Sequence, residues 1–160
     1  MKRKILTDYN APYIKEILYL VQTQSKLTLA HWAIDYAEAV MLKIWQKYYP
    51  DDRRPYESIV AAKRWLAGVV KLPYVKTRIL ECHACARETK DNLIAFTAAR
   101  AIGQCASTIH SARHCMGLVM YGALSIAYEK LGTDAPWEHI EEAVKEECLK
   151  MKEALINIAV

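Results

Sequence analysis

The chain carries a helical period almost from end to end, and very little interrupts it. Apolar residues recur three and four positions apart through Ile14, Ile17, Leu18 and Val21, through Ile59, Ala62, Leu66 and Val69, and through Ile140, Val144, Met151, Leu155 and Ile158. Residues at this spacing share one face of a helix. Alternating apolar and polar runs bounded by turns, the mark of half-buried strands, are absent. With only five glycines and five prolines in 160 residues, helices have few places to stop, and the fold class is all-α. A chain of this length buries a single core without metal or disulfide staples, so one domain spans 1–160.

Prolines and capping residues divide the period into about six to seven helices, packed as an orthogonal or antiparallel bundle. The first runs from about Pro12 to Gln24 and the second from about Leu27 to Tyr48. The second is apolar on most sides and is expected at the centre of the bundle. Pro50 stops it, and Pro55 suits the first turn of the third, where a missing N–H is no loss. The third reaches Val70, the fourth spans Pro73 to Thr89, and Asp91 or Asn92 caps the fifth. From Asn92 to Leu131 nothing openly ends the helix, yet about forty residues would span about 60 Å. That exceeds the width of a compact domain of this size. A break is expected between Gly103 and Thr108, with Gly103 as C-cap and Ser107 or Thr108 as N-cap. After the turn at Gly132–Pro136, an amphipathic C-terminal helix occupies about 136–158.

Charge and apolar content exclude several classes. Lys and Arg number 22 and Asp and Glu 18, leaving +4. The acids are mixed throughout and no basic stripe alternates with aromatics, so nucleic acid is not an expected partner. The longest uncharged stretch, Cys115 to Tyr128, has 14 residues. It is short for a membrane span and reads as a buried core helix, so no membrane partner is expected. Four of the five cysteines lie in apolar or Ala-rich runs, and the charged segment Met1–Asn10 is no secretory signal. Reduced, buried thiols in a cytoplasmic protein follow.

Against this apolar background two polar pairs stand out, His83/Arg87 and His110/His114, each at i,i+4 spacing. Such a spacing points both side chains of a pair the same way. Two imidazoles four apart are a familiar way to present nitrogen to a metal. Yet Ser111 replaces the Glu that follows the first His of zinc-protease helices, and the Glu-x-x-His spacing of di-iron bundles is missing. The same residues serve equally as a buried hydrogen-bonded network or a polar groove. A guanidinium such as Arg87 near a core calls for a carboxylate, and Asp35, Glu38, Asp51 and Asp52 are the acids on offer. Cys82-x-x-Cys85 lacks a βαβ context and reads as small helix-packing residues. No glycine-rich phosphate loop, nucleophile elbow or defensible Cys/His catalytic pair is present.

A family resemblance rests on a series of short motifs. They are Trp32-Ala33-x-Asp35-x-Ala37-Glu38, then Pro50-Asp51-Asp52-Arg53-Arg54-Pro55, Trp65-x-x-Gly68 and His83-Ala84-x-Ala86-Arg87. Ala101-x-Gly103, Thr108-x-His110-x-Ala112-x-His114-x-x-Gly117 and Tyr121 complete the set. In this order they resemble a family of bacterial immunity proteins, whose members are predicted to neutralise toxins of contact-dependent or polymorphic toxin systems. The resemblance covers about 27–128 and implies an all-helical fold with its shared polar residues gathered in one place. Gln104 departs from it, standing where family members often carry His, which weakens a metal site.

Two functional readings follow. The first is a non-enzymatic immunity-like protein that binds a cognate protein toxin through a polar surface or groove. That surface is drawn from Asp35, Glu38, Asp52, Arg54, His83, Arg87, Arg100, His110, His114, Trp32, Trp65 and Tyr121, read as one inter-helical cluster. The second is a helical-bundle enzyme or metal-binding protein using His83, His110 and His114. No cofactor is expected under the first reading, and a divalent metal on those histidines under the second.

Overall fold

A computed structural model describes residues 2–160. Its helices are α1 (Pro12–Gln22), α2 (Lys26–Tyr36), α3 (Leu42–Tyr48), α4 (Arg54–Leu66), α5 (Leu72–Glu88), α6 (Leu93–Ser107), α7 (Leu124–Leu131) and α8 (Trp137–Ile158). A π-helical segment, Ala37–Met41, joins α2 and α3 into one rod, and a second, Leu118–Ala123, leads into α7. A 3₁₀ turn, Ala112–Cys115, lies between α6 and that second segment. No strand occurs among the described residues, and no helix there is long and apolar enough to cross a membrane.

Local chemistry accounts for the boundaries. Pro12, Pro55 and Pro73 sit in the first turns of α1, α4 and α5, where a lost N–H costs nothing. Ser25 Oγ accepts from the Thr28 N–H and Asn92 Oδ1 from the Ala95 N–H, each at 3.1 Å, capping α2 and α6. Gly132 ends α7 with φ at 81°, a conformation that L side chains resist. Trp45 Nε1 donates to the Asp52 carbonyl at 2.9 Å, pinning the turn that delivers Arg54.

The innermost element is α6 rather than the expected second helix. It packs against α2, α3, α4, α5 and α7, and its alanines let those backbones approach closely. The α2–α3 rod keeps His31, Asp35, Lys43 and Gln46 in solvent, which tethers one side of it to the surface. Trp32 is buried and donates through Nε1 to the Met151 carbonyl at 3.0 Å, tying α2 to α8. Cys115 to Tyr128 is buried apart from the half-buried Tyr121, as its apolar composition requires. All five thiols are free and buried.

The long stretch after Asn92 does break, inside the expected window but not at Gly103. Helix α6 runs through Gly103 to Ser107, and Ser111 takes an extended φ of −149° before the 3₁₀ turn. Gly103 is therefore no C-cap; it lies buried inside α6.

Candidate functional site

Helix interiors disfavour glycine by about 1 kcal/mol relative to alanine, so Gly103 needs a reason, and His83 supplies it. A Cβ at Gly103 would sit 2.4 Å from His83 Cε1. The imidazole from α5 thus lies in the notch that the missing side chain leaves on α6. One turn back, Arg100 Nη1 donates to His83 Nδ1 at 3.0 Å. A guanidinium has no lone pair to accept with, so Nδ1 is the acceptor and the ring proton resides on Nε2. The Arg100 guanidinium also stands 5.4 Å above the Tyr121 ring, a cation–π arrangement.

Gln104 occupies the next position along the same face of α6. A Cβ at Gly117 would lie 2.2 Å from Gln104 Cβ, so the chain returning from the 3₁₀ turn passes directly over Gln104. That passage carries His110 and His114 to the site. They are not an i,i+4 pair within one helix: His110 sits in the turn after α6, and His114 in the 3₁₀ turn. The reason is the hydrogen-bond switch to i→i−3 after Ser107, seen in Thr108 to Cys105, Ile109 to Ala106 and His110 to Ser107. Their rings still meet edge to face, with centroids 5.5 Å apart. Each buries an Nδ1 without a hydrogen-bond partner.

The electrostatics of the site are one-sided. Burial holds His83 down to about 4, and the cations Arg100 and Arg87 and the ring of His114 add to the effect. Burial also lowers His110, reinforced by His114, Lys76 and Lys26. No carboxylate contributes to either shift. Among the described residues, Lys26, Lys76, Arg87, Arg100 and Arg113 form no ion pair. His83 is therefore neutral at pH 7, and Arg100 is a half-buried cation without a counter-charge.

The remaining sequence candidates lie elsewhere, and the single expected cluster resolves into separate groups. Asp35 and Glu38 face Lys63 of α4, with Asp35 4.0 Å away and Glu38 in hydrogen-bond contact. Asp52 holds Arg54 in a two-point contact of 2.9 and 2.6 Å, and Arg54 reaches on to Glu88. Arg54 holds the Asp52 carboxyl below its usual range. Trp32 is core, and Trp65 is half-buried against it. Arg87 is exposed and takes none of the offered acids, because α5 directs it outward along the His83 face. No hydrogen bond or ion pair joins these groups to the histidines among the described residues. His83, His110 and His114 do not form a set able to hold a metal; no group of three or more His, Cys, Asp or Glu side chains is so placed among the described residues.

Sequence reasoning missed Gly103 as a seat, Gln104 as the floor under Gly117, and the buried carboxylate of Glu147. Glu147 is covered by α7 and held by Lys130 at 2.6 Å and Lys150 at 3.3 Å. The first was marked only by a glycine inside an alanine-rich run. The last carried no signal, since its helix places it among ordinary surface charges.

The fold and site together describe an all-helical domain whose widely spaced motif residues, His83, Gly103, His110, His114, Gly117 and Tyr121, meet at one place. The chain belongs to the family described as "Imm-5 like putative immunity protein", whose model matches residues 19–154. The match extends beyond the 27–128 of the motif resemblance, into the end of α1 and through most of α8. No curated protein matches the chain, and no solved structure does.

Proposed function

We propose that this protein is an immunity protein that binds a cognate toxin domain, acting by occupancy rather than by a reaction of its own, through the surface around His83, Arg100, His110 and His114. The observation that carries the reading is Arg100. It is a guanidinium half-withdrawn from water, oriented by a neutral imidazole and an aromatic face, and no acid among the described residues pairs with it. Such a group is costly to leave unpaired within a fold, and a partner's surface offers the missing counter-charge. Fixed charges at an interface set orientation and speed association more than they set affinity. Membership of an immunity family supplies the kind of partner.

The test is co-expression with the product of a neighbouring toxin-like gene. The two are expected to co-purify, and the protein is expected to restore growth to cells making that toxin. Arg100→Gln is expected to weaken capture, whereas Arg54→Gln, on a different face, is not. A neighbouring product that neither binds nor is detoxified overturns the proposal.

A further inference from the structure

The chemistry of the partner's contact element can be read from which donors the site leaves unused. Arg100 engages Nη1 with His83. Its Nε and Nη2 have no hydrogen-bond partner among the described residues, and neither is a buried orphan, so neither is fully withdrawn from solvent. His83 carries its proton on Nε2, on the far side of the ring from Nδ1 and pointing away from the guanidinium. The two free N–H groups share one edge of a guanidinium whose orientation the His83 contact and the Tyr121 ring already fix. A guanidinium edge formed by Nε and Nη2 matches the two oxygens of a carboxylate.

The surroundings favour a protein carboxylate over a nucleic acid. Along α5, Lys76, Leu80, His83 and Arg87 fall at i, i+4, i+7 and i+11, a single face. Lys76 acts on His110 and Arg87 on His83, so this face runs the length of the site. Leu80 on it is 67% exposed, an apolar anchor between cations. A phosphate backbone has no use for such a residue, and exposed aromatic rings for stacking bases do not line this face. An amphipathic acidic segment uses both.

We infer that the site is a carboxylate receptor, in which an Asp or Glu of the partner docks on the Nε/Nη2 edge of Arg100, while a neighbouring apolar side chain of the same segment covers Leu80. The inference rests on the toxin-binding reading and specifies its chemistry.

A hexaglutamate peptide serves as the probe, titrated into the whole protein at fixed ionic strength and followed by NMR, with hexalysine and a twelve-residue oligothymidylate as comparisons. Saturable shifts are expected at His83, Gln104, His114 and Tyr121 with hexaglutamate alone. Arg100→Gln is expected to weaken binding about tenfold, the loss of one charge-assisted contact. Arg87→Gln, an exposed change that leaves packing intact, is expected to weaken it by a smaller factor. Shifts spread over other faces, unchanged affinity in Arg100→Gln, or tighter binding of oligothymidylate each overturn the inference. The two readings fail separately. A toxin captured equally well by wild type and Arg100→Gln sinks the receptor and spares the immunity role. Specific hexaglutamate binding with no toxin captured does the reverse.

Discussion

Replacing Gly103 by alanine probes the seat of His83 directly. The new Cβ would stand 2.4 Å from Cε1 and 2.9 Å from both ring nitrogens, so the imidazole must leave the notch. Its departure breaks the Arg100 hydrogen bond, a net loss of about 0.5–1.5 kcal/mol. Overpacking of the α5–α6 contact adds about 1–3 kcal/mol. Alanine's better helix propensity offsets about 1 kcal/mol. The net expectation is a destabilisation of about 1–3 kcal/mol, or a fall in Tm of about 2–4 °C for each kcal/mol in a domain of this size. The decisive arm is the same substitution in a His83→Ala background. There the ring is gone, the notch is empty, and Gly103→Ala is expected to stabilise by up to about 1 kcal/mol. The change of sign, measured by urea denaturation of all four chains, is the coupling between the two residues. Equal destabilisation in both backgrounds would refute the seat, because the cost would then come from something other than the imidazole.

Three further expectations follow from buried groups. His83 is depressed from 6.5 to about 4 in the folded chain, so between those values the unfolded state binds the extra proton and stability falls as pH falls. The full shift amounts to about 3 kcal/mol, and water at the half-exposed ring screens it to about 1–2 kcal/mol. His83→Gln is expected to flatten the stability profile over that window, and an unchanged slope would rule out His83 as its source. Burial pushes the thiols of Cys105, Cys115 and Cys148 up, the last two to about 12, so a chromogenic disulfide reagent at pH 8 is expected to label no cysteine until denaturant is added. Rapid labelling of the native chain would contradict that burial. Replacing Lys130 and Lys150 together by Met strands the Glu147 carboxylate and is expected to cost about 3–5 kcal/mol, with Glu147→Gln in that background restoring most of it. If urea denaturation gives all three chains the same stability, Glu147 is solvated after all.

Most of the helices were legible because their signals are local. Pro12, Pro55 and Pro73, the Asn92 cap and the Gly132 turn each act within a few residues of where they stand. Periodicity then fixes which face of each helix turns inward. The break after α6 falls within the expected window, but Gly103 does not make it: it offers a cap by its chemistry, and only the approach of α5 turns it into a packing residue. The relative depth of α6 and the α2–α3 rod was not legible either. Both are rich in apolar residues, and the number of neighbours an element has is a property of the whole arrangement.

For the site, the residue types were visible and their grouping was not. The histidines, Arg100 and Tyr121 come together because α5 crosses α6 at Gly103 and the returning chain crosses Gln104 at Gly117. Asp35, Glu38, Asp52 and Arg54 are as polar and as near in sequence to apolar runs, yet they fall to Lys63 and Glu88 on other faces. The sequence by itself determined an all-helical domain, most of the ends of its helices and a short roster of polar residues inside them, since those depend on dihedral preference and local hydrogen bonding. Tertiary structure alone decided that Arg100 pairs with no acid among the described residues, because a missing counter-charge is a relation between elements that no spacing along the chain records.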